Sequence, residues 1–297
     1  MSITIKACPV CEGKAFKLKF ICKDHSVSAE KFKIVSCETC GFVLTSPRPD
    51  QKNIGRYYNS ENYISHTNNK KGLFNLLYQT VRKYTIERKV SMIKKFETKN
   101  LLDIGCGTGE FLNKAKIKGI NAEGIEPSEK ARKQCKQNYN LNIKESADLR
   151  AYDDHKFDCI TMWHVLEHMP ELSRLIESMY SKTSRNAKII IGVPNHNSWD
   201  AKYYKKHWAA WDVPVHFWHF TKQSIEKLFK KHGFVLLKTK PMIFDSFYVS
   251  ILSEEYKNGK KNFVKGFLIG LISNLVGFFT KAGFSSTIYI FEKKHRF

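Results

Sequence analysis

The stretch Leu101-Leu-Asp-Ile-Gly-Cys-Gly-Thr-Gly-Glu-Phe-Leu112 constrains this chain more than any other. Leu101, Leu102 and Ile104 read as a short buried strand, Gly105, Gly107 and Gly109 as a tight turn, and Glu110 onward as the start of a helix. Glycines at such a turn let the backbone bend sharply and let a ligand lie against the main chain. The helix that follows aims its free N–H groups at the same place. Three alternate glycines also occur in plain strand-to-helix turns, so the neighbouring sequence decides what binds.

The first deciding neighbour is Glu126, in Asn121-Ala-Glu-Gly-Ile-Glu126-Pro. An acidic residue ending the second strand, about twenty residues past the glycines, is placed to accept hydrogen bonds from two ribose hydroxyls. That combination leaves two candidates, a nicotinamide cofactor and S-adenosylmethionine. Further strand–helix alternation follows: a short strand over 141–144, a fourth running from Phe157 into His164, and a fifth over 187–195 ending in Val-Pro-Asn. This alternation predicts an α/β fold.

The N-terminal region carries a separate signal. Cys8-Pro-Val-Cys11 and Cys37-Glu-Thr-Cys40-Gly41 are two C-x-x-C knuckles with 25 residues between them. Two thiolates on each of two tight turns make the tetrahedral sulfur set that zinc prefers, and four protein ligands leave no position open for catalysis. The pattern predicts a small zinc-ribbon-like domain over 1–50 with a structural zinc on Cys8, Cys11, Cys37 and Cys40; Cys22 and His25, inside the loop, are alternative ligands. A connector of helical periodicity, preceded by Tyr57, Tyr58 and Tyr63, is expected over 51–98. The core is expected over 99–297, with an apolar helical insertion at about 245–284.

Leu-Asp-Ile-Gly-Cys-Gly-Thr-Gly, Gly-Ile-Glu126-Pro and Phe157-Asp…His164-Val-Leu-Glu167-His168 resemble the successive motifs of class I S-adenosylmethionine-dependent methyltransferases, in particular the group headed by a Cys-x-x-C…Cys-x-x-C module. The resemblance covers about 99–297. It implies a Rossmann-like seven-stranded sheet whose last strand is antiparallel. It implies that Asp103, Gly105, Gly107 and Gly109 hold the methionine part of S-adenosylmethionine, Glu126 the ribose, and Asp148 or Ala147 the adenine edge.

A sulfonium methyl donor needs mainly a nucleophile in line and a group to take its proton. Two clusters offer that group. His164, Glu167 and His168 share one helix face at spacings of three and four, and resemble the Glu-x-x-Glu-His set that chelates a divalent ion in ubiquinone-pathway and small-RNA methyltransferases. Here His164 replaces the first Glu, which tilts any second divalent metal toward a softer ion. The other cluster is Trp208-Ala-Ala-Trp211-Asp212-Val-Pro-Val-His216-Phe-Trp-His219, with His216 and then His219 as candidate base or metal partner. Trp208 and Trp211 either wall a planar substrate or pack a lid on the core.

The final feature is Phe263 to Phe279, a bulky apolar run interrupted by Gly266, Gly270, Ser273 and Gly277. Lying between the last two strands of one sheet, it returns to the side it left and cannot span a bilayer once. It is expected either to pack within the protein or a dimer, or to make peripheral membrane contact. Fifty Lys and Arg against 28 Asp and Glu give a net charge of +22, which favours polyanionic partners: nucleic acid, an anionic membrane or phosphate-bearing substrates. The N-terminus has no apolar signal core, so the expected location is cytoplasmic, at most peripheral to the inner membrane face. The expected function is methyl transfer to an oxygen, or a carbon, of a small or lipid-linked metabolite. An RNA methyltransferase and a sugar C-methyltransferase are the alternatives, and a fold that binds without turnover is the non-enzymatic one.

Overall fold

The computed structural model describes residues 2–58, 73–145 and 149–294, excluding the side chains of residues 73–75, 77 and 78. Asp148, Ala147 and Tyr63 therefore lie outside the described residues. The elements in chain order are β1 (Ser2–Ile3), β2 (Phe16–Lys23), β3 (Lys31–Cys37), β4 (Val43–Thr45), β5 (Arg48–Pro49), α1 (Leu73–Lys94), β6 (Asn100–Ile104) and α2 (Glu110–Ile117). They continue as β7 (Asn121–Ile125), α3 (Glu129–Tyr139), β8 (Phe157–Trp163), α4 (Leu172–Lys182), β9 (Thr183–Pro194), α5 (Trp199–Tyr204) and β10 (Trp218–His219). The chain closes with α6 (Lys222–Lys231), β11 (Phe234–Pro241), α7 (Asp245–Asn258), α8 (Phe263–Phe279) and β12 (Ser286–Lys293).

The main sheet has the order β11-β12-β9-β8-β6-β7. The pairs from β9 to β7 are parallel, and β12 runs antiparallel between β9 and β11. Successive Ile189, Ile190 and Ile191 of β9 are all fully buried. Side chains of both parities are buried because helices cover both faces, as a parallel sheet requires. Among the described residues the sheet has six strands where seven were expected. The segment at 141–144 reaches its place beside β7 but makes a single parallel rung, Lys144 N–H to Gly124 O at 3.0 Å and Glu126 N–H to Lys144 O at 2.9 Å.

A second sheet, β10-β4-β3-β2, joins the N-terminal module to the segment that follows β9. Strand β10, from the segment after β9, pairs antiparallel with β4 as Trp218 with Leu44 and His219 with Val43. Around this seam the Arg48 guanidinium lies 3.9 Å from the Phe217 ring centre and donates to Pro170 O at 2.8 Å. Buried Cys8, Val10, Phe42 and Leu44 belong to the same apolar cluster as Leu102, Ile160 and Ile191. The N-terminal module and the α/β core thus share one interior.

The 245–284 insertion is a helical hairpin, α7 packed on α8. It is tied to the core by Asp200, whose buried carboxylate accepts from Trp208 Nε1 at 2.7 Å, Ser273 Oγ at 2.6 Å and Ser285 Oγ at 2.7 Å. Hydrogen bonds to a charged group each contribute about 1.5–3 kcal/mol, so this one side chain locks α5, α8 and the run before β12 together. Trp208 and Trp211 are both buried, and Trp211 Nε1 donates to Lys205 O at 2.8 Å. Of the two readings of these tryptophans, the structure supports packing on the core.

Candidate active site and cysteine cluster

Gly105 follows β6, Glu126 follows β7, His164 follows β8 and Asn195 follows β9. The carboxyl edge of the parallel strands, where ligands bind in open α/β sheets, therefore carries three of the motifs singled out from the sequence. At the glycine turn, Gly105, Gly107 and Gly109 all have positive φ, 73°, 55° and 81°. Glu126 braces the turn: Oε2 accepts from Gly107 N–H and Oε1 from Ser128 N–H, both at 2.9 Å. A Cβ on Gly107 would meet nothing within 4 Å, so the turn presents bare backbone to open space. Beneath it Asp103 is buried and accepts from Thr161 Oγ1 at 2.6 Å. Burial pushes the Asp103 carboxyl up to about 7, against the pull of Thr161 and Lys89.

The second group centres on Glu167, whose side chain is 1% exposed. Neither carboxylate oxygen has a hydrogen-bond partner; the nearest basic groups are His164 Nδ1 at 3.4 Å and His216 Nε2 at 4.0 Å. His216 donates from Nδ1 to Ala210 O at 2.9 Å, and His168 from Nδ1 to Val215 O at 3.0 Å. A carbonyl only accepts, so in both rings the proton sits on Nδ1 and the lone pair on Nε2. Burial lowers the basicity of His216, and burial with the neighbouring His216 pushes His168 down to about 4. Ligand atoms of Glu167, His168 and His216 lie within 4.8 Å of one another.

His164 is shared between Glu167 and Asp245, and His219 faces elsewhere. His164 Nε2 is 2.8 Å from Asp245 Oδ2, at the head of α7. Burial alone would lower its pKa, but Asp245 and Glu167 outweigh burial and raise it to about 10. Thr45 Oγ1 gives its one proton to His216 O at 2.8 Å, so it accepts from His219 Nε2 at 3.0 Å. His219 is thus engaged in the seam between β4 and β10, while His216, three residues earlier, faces Glu167.

Two residues of the group carried little signal in the sequence. Tyr58 Oη lies 3.2 Å from His168 Nδ1. Burial keeps its phenol protonated, and Asp212, Glu167 and Glu126 add to the effect. Tyr58 therefore sits within electrostatic reach of both Glu126 at the glycine turn and the histidine cluster; its only trace was the aromatic cluster before α1. Asp245 had none beyond being an acid that opens an apolar insertion.

In the N-terminal module the Cys8 and Cys40 sulfurs are 3.6 Å apart, as are those of Cys11 and Cys37, and all four lie within 4.8 Å. A zinc–sulfur bond of about 2.3 Å in a tetrahedron gives sulfur–sulfur edges of about 3.8 Å, so the four fit one zinc. Both knuckles end in a left-handed residue, Glu12 at φ 64° and Gly41 at φ 74°.

Comparison with known proteins bears on this arrangement. The profile of the methyltransferase domain family matches residues 78–239, more than half of the chain. The ubiquinone biosynthesis O-methyltransferase of Coxiella burnetii is 29% identical over 128 residues, 41% of this chain and 53% of that protein. The chain thus spans about half the length of the curated relatives it matches. Among solved structures, magnesium protoporphyrin IX methyltransferase from Synechocystis PCC 6803, with bound SAH, superposes with a TM-score of 0.54 at 16% identity, covering 82% of this chain and 100% of that one. A SAM-dependent methyltransferase from Archaeoglobus fulgidus gives 0.50 at 22%, covering 75% and 100%. At such identities these likenesses establish the fold alone. With the profile match, they mean that this chain belongs to the methyltransferase domain family.

Proposed function

We propose that the protein is an S-adenosylmethionine-dependent methyltransferase acting on an oxygen of a small or lipid-linked metabolite. The observation that carries the oxygen assignment is the buried Glu167 carboxylate, with no hydrogen bond to either oxygen among the described residues, with His216 Nε2 at 4.0 Å and a ring nitrogen of His168 within 4.8 Å. A hydroxyl acceptor must lose a proton as it attacks, whereas an amine can shed one afterwards. The similarity to a ubiquinone biosynthesis O-methyltransferase supports the same choice.

In this reading Gly105 and Gly107 lie along the methionine portion, Asp103 anchors beneath them, and Glu126 turns from Gly107 N–H to the ribose hydroxyls. Asp148, outside the described residues, keeps the adenine role that the resemblance implies. Bound there, the cofactor supplies a methyl group on a positively charged sulfur. His216 accepts the acceptor's proton at Nε2, its ring held by Ala210 O. It is neutral at rest because it is buried, and once protonated it is stabilised by Glu167 at 4.0 Å and Asp212 at 3.7 Å. Alternatively, Glu167, His168 and His216 suit a divalent ion, which would occupy the His216 lone pair in place of the proton and would acidify a substrate hydroxyl itself. Their mixed nitrogen and oxygen donors favour a transition metal over magnesium. The four-cysteine cluster holds a structural zinc.

The test is methyl-labelled S-adenosylmethionine supplied with a metabolite extract, followed by mass identification of the product. A labelled methyl ether or ester is expected. In His216→Ala the rate should fall by about 10²–10⁴ while cofactor affinity stays at the parent value. Label confined to the RNA fraction, or an undiminished rate in His216→Ala, refutes the reading.

A further inference from the structure

The sequence left open which way the apolar run 263–279 points. The structure answers that its small residues face inward. A Cβ on Gly266 would come within 2.8 Å of Ile251 Cα, and one on Gly270 within 2.9 Å of Phe247 Cα, so α8 packs backbone to backbone on α7. Ser273 reaches Asp200, and Asn274 Nδ2 donates to Ile243 O at 2.8 Å. This inner stripe, with buried Ile269 and with Phe267 stacked on Phe247, anchors the helix and leaves most of its large side chains outside. Val264, Leu268, Leu271, Leu275, Phe278 and Phe279 are left 40–85% exposed on the opposite face. So large an exposed apolar surface marks an interaction site rather than ordinary surface scatter.

Charge identifies the occupant. From Tyr256 to Phe284 the hairpin carries Lys257, Lys260, Lys261, Lys265 and Lys281 and no acidic residue. Lys261 and Lys265 pair back to Glu255 and Glu254, at 3.7 and 3.2 Å, leaving the apolar face bracketed by lysines near both of its ends. A second copy docked through a two-fold axis would set this face, with its like charges, against itself. A bilayer rich in anionic lipid matches both features, with acyl chains for the apolar side chains and phosphates for the lysines. Seventeen residues of helix span about 26 Å, and no described helix is long and apolar enough to cross a membrane. Since α8 lies between β11 and β12 of one sheet, both its ends stay on one side.

We propose that the outer face of α8 docks on an anionic membrane surface, with the helix lying in the plane of the lipid interface. Asp245, at the head of the same hairpin, contacts His164, so docking brings the membrane close to the candidate active site. The proposal concerns binding and is read without a methyl acceptor, so its failure and that of the methyl-transfer reading are separate results.

The test is co-sedimentation of the full chain with vesicles of phosphatidylglycerol in phosphatidylcholine and with phosphatidylcholine alone. Binding to the first is expected, weakened by salt, with little to the second. The double variant Val264→Glu/Leu268→Glu should bind at least tenfold more weakly, and Lys260→Glu and Lys281→Glu roughly fivefold or more each. Should the apolar variant fail to fold, Leu268→Trp serves instead: its added emission should shift blue and be quenched by brominated lipid. No binding to anionic vesicles at low salt, undiminished binding by a folded Val264→Glu/Leu268→Glu, or an unquenched Trp at 268 overturns the proposal. So does a solution dimer that the same double variant splits while vesicles capture nothing.

Discussion

Gly105 and Gly107 belong to one turn, yet the structure makes different demands on them, and alanine at each position separates the two. At Gly105 φ is +73°, and a Cβ would lie 2.4 Å from Val165 Cγ2, 3.0 Å from Cγ1 and 3.3 Å from Cβ. All three contacts are to one β-branched side chain, which is stiff about χ1 and cannot swing only its tip away. Left-handed backbone in a non-glycine residue costs about 1–2 kcal/mol, and overpacking a filled site about 1–3 kcal/mol. Gly105→Ala should therefore lose roughly 2–5 kcal/mol, or about 3–8 °C in Tm at this chain length. At Gly107 φ is +55° and the added methyl meets nothing, so only the backbone cost of about 1–2 kcal/mol applies. In the proposed reading that methyl occupies space the cofactor needs, so Gly107→Ala should bind S-adenosylmethionine at least tenfold more weakly while melting within about 3 °C of the parent. Calorimetric melting of the ligand-free proteins followed by titration with the cofactor reads both quantities. Equal Tm losses in the two variants would refute the packing argument, and parent-level affinity in Gly107→Ala would refute the placement of the cofactor on this turn.

Two further outcomes follow from the same geometry. One zinc per chain is expected by metal analysis, and its removal by a strong chelator, or Cys37→Ser, should lower Tm and disturb the histidine region, because β10 completes the module's sheet; an unchanged Tm after verified metal loss would count against a structural zinc. The His164–Asp245 pair should stabilise the fold over a defined pH window. The His164 pKa is raised from 6.5 to about 10, so its contribution is complete below pH 6.5 and lost as pH climbs through about 10. The Asp245 pKa is lowered from 3.8, so its share is present above that value and lost on acidification. His164 keeps about a third of its side-chain surface in solvent, which makes the effect modest. The parent minus Asp245→Asn stability difference should be largest between about pH 4 and 6.5, and a difference flat from pH 4 to 10 would contradict it.

The α/β core was legible because its signals are local. A run such as Ile189 to Val193 is apolar on both faces only if helices cover both sides of the sheet, and a glycine turn followed by an acidic strand end has few uses. The short segment at 141–144 reads the same way, yet whether it pairs once or four times depends on its neighbours, and it pairs once. The cysteine knuckles were legible for a similar reason, each pair being preset by its own turn. The histidines were not. His164, His168, His216 and His219 look alike in sequence, and their differences arise from distant partners: Asp245 for the first, Val215 O for the second, Ala210 O and Glu167 for the third, Thr45 for the last. Spacing on a helix face grouped His164 with Glu167 and His168, whereas the fold turns His164 to Asp245 and brings in His216 from nearly fifty residues away.

What the sequence determined by itself was thus the strand–turn–helix order, the glycine turn braced by Glu126, and the four-cysteine knuckle pair, since each is set by residues close along the chain. The tertiary structure decided how the module and core merge through β10, which histidines face Glu167, and which side of α8 is left bare. Those depend on contacts between segments tens to hundreds of residues apart, where a side chain's protonation and exposure are set by what packs against it and not by its neighbours in sequence.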